Sequence, residues 1–306
     1  MKSIRAVTDN QVCRSLLQKA VRRGAVSVVE KVVVHLLQKG EATWLRNRLG
    51  VIACEESWMY LGELTFTTNE EVLIKQYMDL ASCSKNKNAA GLGSLAYELS
   101  KGVESVIVGG DINSKHIKIV AEAIRRPDDF WSWVKKNQMD SKDLKFLANA
   151  ESGFKMAGWP WDKAFTLASA YLSIIGDVPQ IVMNESSNSA FFPYWVAIDK
   201  HTSLGKRSLL KCAEKFSLDK GGLGWVQFYL ESAKCENLQF SWWWEKEKKW
   251  RFESEGLGEG RAEAIWSDAC VFLHELLFSK GLAIAEELDG SFDRYNKIMK
   301  NQGSLI

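Results

Sequence analysis

The sequence predicts an all-α fold, a multi-helix bundle of antiparallel helix pairs. Apolar residues recur every three to four positions through most of the chain, the period of one helix face. Only four prolines interrupt it, Pro127, Pro160, Pro179 and Pro193, all in the middle third. Gly24, Gly40 and Gly102 stand where periodic segments end. Glycine takes a left-handed helix stop without steric cost.

Helices are expected at 10–22, 26–38, 41–60, 69–82, 89–100, 115–125, 128–136, 141–154, 161–175, 203–216, 222–234, 260–278 and 291–300. Asp9, Thr68, Ser114, Ser141 and Asp162 mark starts, because a short polar side chain can accept from a backbone N–H left over in the first turn. Val26–Leu37 is rich in β-branched residues, as a strand would be. Its length and the following Gly40 favour a buried helix. Two segments resist the pattern. Gly102–Asp111 reads as a short strand and turn. Phe240–Glu253, with its blocks of aromatic and charged residues, reads as a small β-hairpin or an extended arm. The proline-bearing stretch at 176–193 is the expected hinge, dividing the chain into a helical unit at 1–176 and a second at 177–306. One undivided domain is the alternative.

At 306 residues the chain can bury a large core. The net charge of +2 neither demands nor excludes nucleic acid, so only a local patch argues for it. No apolar run reaches the roughly 18 residues of a membrane span. The opening MKSIRAVTDNQ lacks the apolar stretch of a signal peptide. Six cysteines are scattered without a C-x-x-C pair, which argues against a disulfide framework and, with four scattered histidines, against zinc. That pattern points to buried thiols in a reducing cytoplasm.

The most informative stretches are LLQKAVRRG at Leu16–Gly24 and WLRNRLGVIACEE at Trp44–Glu56. The first ends in the basic group Lys19, Arg22 and Arg23. The second sets Arg46 and Arg48 ahead of the paired acids Glu55 and Glu56. The block resembles the helical C-terminal region of the replication-associated AAA+ family known as RarA or MgsA. Leu16, Gln18, Lys19, Ala20, Arg22, Arg23 and Gly24 match its "LQKAIRRG"-like helix. Arg48, Leu49, Ala53 and Glu55 match its "RRL-x-x-x-A-x-E-D" helix, with Glu56 in place of the usual Asp. The segment Phe191–Phe216 is similar to the "ALDMHTRRGR" segment of RarA-like proteins from phages and plasmids. The resemblance implies an all-α fold, a homo-oligomer (dimer or tetramer) and a place in DNA metabolism. The family's ATPase, sensor and arginine-finger elements have no counterpart here.

The chemistry-bearing motifs fall short of catalysis. A phosphate-binding loop needs G-x-x-x-x-G-K-[ST], and Gly205–Lys206–Arg207–Ser208 lacks the first glycine and has arginine for the hydroxyl residue. GLGEG at Gly256–Gly260 follows a charged segment instead of a strand, so it is no dinucleotide fingerprint. His274–Glu275 lacks the second histidine of a zinc-protease helix. No catalytic residue, metal ligand or cofactor site is assigned, and the expectation is a protein that is not an enzyme.

Binding residues are expected in three places. Lys19, Arg22 and Arg23 form one basic helix end, equally able to complement the helix dipole. Lys200, Lys206 and Arg207 form an anion site or, equally, the solvated start of a helix. Thirteen tryptophans are present, and the segment Ser241–Phe252, with Trp243 and Trp250, has the make-up of a base-stacking platform. Large aromatics serve as readily in a core or at an interface. Arg46, Arg48, Glu55 and Glu56 are expected to form a structural ion-pair block. The functional expectation is a non-enzymatic protein that self-assembles and binds DNA, single-stranded by preference, or a replication partner. The alternative is an inhibitor or adaptor in phage–host conflict that contacts only a protein.

Overall fold

The computed structural model describes residues 10–137, 141–176, 178–184 and 192–303. Asp9, an expected helix start, lies outside them. Thirteen α-helices and no β-strand are found among the described residues. They are α1 (Asn10–Arg22), α2 (Val26–Gln38), α3 (Ala42–Glu56), α4 (Glu70–Ser82), α5 (Asn88–Ser100), α6 (Ser114–Arg125) and α7 (Pro127–Asn137), then α8 (Ser141–Met156), α9 (Pro160–Ile175), α10 (Ser203–Phe216), α11 (Lys220–Gln227), α12 (Trp242–Ser254) and α13 (Glu259–Gly303).

The glycine stops act as the sequence indicates. Gly24, Gly40 and Gly102 have φ of 66°, 76° and 90°. Each follows a helix and folds the chain back, so α1 lies against α2. The start of α4 differs by one residue from the expected Thr68. Asn69 accepts from the Val72 amide at 3.0 Å, and Thr67 supports Asn69 in turn. Val26–Gln38 is a helix despite its β-branched residues. Its apolar face is buried on α1, α4 and α13, and packing outweighs propensity.

α5 sits at the centre, touching α6, α9 and α12. Ala89–Ala96 is buried throughout, as suits a helix that is apolar on every side. Two glycines permit its close crossings. A Cβ on Gly91 would lie 2.3 Å from the Trp243 carbonyl carbon, and one on Gly93 would lie 3.0 Å from the Ala164 backbone. One hydrophobic cluster runs from Val12 to Leu288, through both sides of the expected hinge at 176–193. Within it Leu16, Leu17, Val21, Leu45, Leu49, Ile52 and Ala53 are fully buried. Burial of each larger side chain stabilises the fold by roughly 1.5–3 kcal/mol.

Four elements differ from the sequence reading. Gly102–Asp111 holds a short 3₁₀ turn (Glu104–Val106) and no strand. Phe240–Glu253 is no hairpin or arm; it contains α12, whose inward stripe is Trp243, Trp244, Glu247, Arg251 and Phe252. α11 continues into a π-helical turn (Phe228–Ser232). The two expected helices at 260–278 and 291–300 are one helix of 45 residues, about 67 Å long at 1.5 Å per residue. Its inward stripe is Ala262, Trp266, Ala269, Leu273, Leu277, Ile284 and Leu288. Gly281 does not end it. Glycine is needed there because a Cβ would lie 2.9 Å from the Trp195 amide nitrogen, where a 3₁₀ turn (Tyr194–Ala197) rests on α13. No described helix is long and apolar enough to cross a membrane.

Candidate functional site

The two sequence motifs meet inside the protein. Arg22 ends α1 and is only 2% exposed. Its Nε donates to Glu56 Oε1 at 2.8 Å and its Nη2 to Glu55 Oε1 at 2.8 Å. Its Nη1 donates to the Ser232 carbonyl, at the end of the π-helical turn. Glu56, wholly buried, also takes Lys87 Nζ at 2.9 Å. That ammonium lies 4.4 Å from the ring centre of Trp244. Gln18 donates to Glu55 and accepts from Arg48 at 3.1 Å, and Arg48 pairs with Asp162 on α9.

A second arm begins at Lys19, also buried. Its Nζ meets Asp199 Oδ2 at 2.8 Å. Asp199 also accepts from Ser232 Oγ at 3.3 Å, and His201 Nδ1 lies 3.1 Å from the same oxygen. Arg23 pairs with Glu231, which also takes Lys234 at 3.0 Å. The block therefore ties α1, α3 and α9 to the segments at 82–88, 198–202 and 228–234.

The charges balance. Lys19, Arg22, Arg48 and Lys87 face Glu55, Glu56, Asp162 and Asp199. A buried carboxylate or ammonium persists only when paired and hydrogen-bonded. Burial alone would raise the Glu56 pKa, but Arg22 and Lys87 outweigh it and hold the carboxyl at about 2. Asp199 is likewise held well below the carboxylate range, with Lys19 and His201 overcoming its burial. Asp162 moves the other way, raised by burial that Arg48 only partly offsets.

These directions set the acid response. The unfolded chain protonates Glu56 near an ordinary value of about 4.3, while the folded protein resists until about 2. Between those values the unfolded state binds more protons, so stability falls as pH falls. We expect the urea midpoint to drop between about pH 5 and pH 3, and the drop to be smaller in Glu56→Gln. Equal slopes in the two proteins would contradict this role for Glu56.

Lys85 is another buried cation, with no carboxylate partner among the described residues. Its Nζ donates to the carbonyls of Leu80 (3.1 Å), Ala81 (2.8 Å) and Cys83, closing the end of α4. Burial pushes its pKa down to about 8. The backbone around it is stapled on three sides. Ser84 N donates to Val182 O, Lys85 N to Asn237 O, and Asn86 N to Glu56 O, at 2.8–3.0 Å.

The expected binding residues are therefore divided. Lys19 and Arg22 are buried in ion pairs and do not face a ligand surface. Arg23 is partly buried and held by Glu231. Trp243 is 8% exposed, packed where α12 crosses α5, and its ring is not offered for stacking. Trp250 is half-buried and donates to Ser105 Oγ at 3.2 Å. Lys200 is turned onto the rings of Trp225 and Phe228. Only Lys206 and Arg207 lie exposed, on the first turn of α10. In the expected structural block, Arg48, Glu55 and Glu56 take part, whereas Arg46 bonds to its neighbour Asn47. Lys87 and Asp162 also belong to the block; the sequence marked Asp162 only as a helix start and gave Lys87 no role.

Gly205–Ser208 does not make a phosphate loop. The Gly205 amide is already engaged by Thr202 Oγ1 at 3.0 Å, as a helix cap. The open basic surface is instead the outer side of α10 and the start of α11. Lys206, Arg207, Lys211, Lys215 and Lys220 are exposed there, against Glu214 and Asp219. Lys215 lies 4.4 Å from the Phe272 ring centre, so this ridge adjoins α13.

No protein-family model, curated protein or solved structure matches this chain.

Proposed function

We propose that this chain is a non-enzymatic, cytoplasmic binding protein of DNA metabolism, and that it meets nucleic acid along the outer side of α10. The observation that carries the reading is the exposed ridge of Lys206, Arg207, Lys211, Lys215 and Lys220. Five cations outnumber two carboxylates there, on a chain whose net charge is only +2. A clustered basic face is the electrostatic footprint of phosphate binding. The buried block has a different role under this reading: it holds the helices that present the ridge. The motif resemblance to RarA-like proteins supports the DNA association and a homodimer or tetramer. Reduced thiols at all six cysteines accord with the cytoplasm.

The test is binding to single- and double-stranded DNA over a salt series. Affinity should fall steeply as salt rises, because phosphate contacts release counterions. Replacing Lys206 and Arg207 by Ala should weaken binding alike for all sequences and reduce the salt slope by about two. Absence of binding at low salt, or an unchanged slope, would reject the ridge as the contact surface.

A second reading, contact with a protein partner alone, is favoured by α13. Val271, Phe278 and Leu282 are each at least 50% exposed on its outward side, opposite the inward stripe. Exposed apolar patches of this kind mark interaction surfaces.

A further inference from the structure

We propose that the loop at 107–113 is a membrane-contact tip, by which the protein rests on an anionic lipid surface. The loop leaves the buried Val106 and turns through Gly109 and Gly110 towards α6. Val108 and Ile112 flank that turn and are 56% and 74% exposed. Nothing lies within 4 Å of a Cβ added at Gly109 or Gly110, so the turn stands clear of the other described residues. Ile119, on the outer side of α6, is a third exposed aliphatic residue.

A single exposed aliphatic side chain is ordinary on a protein surface. These differ because the loop that carries them is fixed. The Asp111 amide donates to the Val108 carbonyl at 3.1 Å, and Ser114 Oγ donates to the same oxygen at 3.3 Å. Asn113 N donates to Asp111 Oδ1 at 2.8 Å. The Asp111 carboxylate pairs with Lys246 on α12, and Trp250 Nε1 donates to Ser105 Oγ at the foot of the loop. Held this way, the loop keeps Val108 and Ile112 in water.

The setting defines the partner. Lys246 Nζ lies 5.0 Å from the Trp242 ring centre, which places an exposed indole beside the tip. An indole, apolar in body and polar at one edge, suits the boundary between headgroups and acyl chains. The local charge is positive. Over 101–126 the charges without an ion pair among the described residues are Lys101, Lys115 and Lys118, against Glu104. Lysines at this level attract anionic headgroups while aliphatic side chains enter the acyl boundary. A protein partner would have to offer a pocket to a protruding tip, whereas a bilayer yields to one. The inference does not rest on the α10 ridge.

The probe is a sucrose-loaded vesicle of phosphatidylcholine with about 30% phosphatidylserine, sedimented with the full chain at about 0.15 M salt. We expect binding at least about tenfold stronger than to phosphatidylcholine alone. Val108→Ser with Ile112→Ser should lower the partition by at least about tenfold. Both positions are exposed, so the urea midpoint should not move. Ile112→Trp should raise the partition by about threefold or more. Lys206→Ala with Arg207→Ala separates the tip from the ridge and should change it by less than about threefold, because charges away from the membrane are screened at this salt. Absence of sedimentation with the anionic vesicles would overturn the inference and leave the tip to a protein partner. So would a Val108→Ser, Ile112→Ser protein that binds like the unaltered one, or a loss carried by the ridge variant instead.

Discussion

Glu56→Ala should lower stability by roughly 3–5 kcal/mol, the usual cost of removing one partner of a buried ion pair. Glu56 is wholly buried and serves two cations at once, Arg22 and Lys87. Neither cation has an alternative route to water, because Arg22 is 2% exposed and Lys87 is fully buried. The substitution therefore strands more charge than it removes. Glu55 can take up part of the Arg22 guanidinium, but Lys87 keeps only the face of Trp244. The measurement is equilibrium urea unfolding followed by circular dichroism. A loss below about 1 kcal/mol, the scale of an exposed pair, would contradict this account of the block.

Gly205→Ala should be comparably damaging, for a steric reason. A Cβ there would lie 1.8 Å from the Asp199 carbonyl oxygen and 2.4 Å from its carbon. Both contacts are backbone, so no side-chain rotation can relieve them. Either α10 must shift or the turn at 199–202 must open. That turn holds Asp199 against Lys19, and Thr202 caps α10. Overpacking usually costs about 1–3 kcal/mol and more where the backbone must move. We expect the upper end, about 3 kcal/mol, in the same unfolding experiment. Gly205→Ala at wild-type stability would mean that the turn is much looser than it stands here.

Much of the fold was legible in the sequence because its signals were local. The boundaries of α1 and α2 follow from periodic apolar residues and from Gly24 and Gly40. α12 was hidden for a specific reason. Two positions on its inward stripe, Glu247 and Arg251, are charged, so apolar periodicity skips them. They are buried through partners distant in sequence: Tyr229 donates to Glu247, and Arg251 meets Glu98 at 2.7 Å. The continuity of α13 was hidden because Gly281 looks like a helix stop, while its cause is the approach of Trp195 from another part of the chain.

The site was legible by residue type and obscure in its placement. Arg22, Glu55 and Glu56 stood out as charges within apolar helices, and they do pair. Whether such a group faces water or the core depends on what covers it. Here the cover is the π-helical turn at Phe228–Ser232 and the segment at Ser84–Lys87, far off in sequence. Lys85 and Lys87 read as ordinary polar linker residues, because an ammonium satisfied by carbonyls or by a distant carboxylate leaves no local pattern. The surviving surface cations, Lys206 and Arg207, lie on the exposed side of an ordinary amphipathic helix.

The central claim is that the motif charges hold the helices together from within. A double-mutant cycle between Arg22 and Glu56 tests it most directly. Urea unfolding of Arg22→Met, Glu56→Gln and the double variant measures their coupling. The double variant should cost less than the two single changes combined, by about 1–3 kcal/mol, because each single change strands the other's charge. Costs that add to within about 0.5 kcal/mol would show that the two side chains do not depend on one another, and the structural reading of the block would fail.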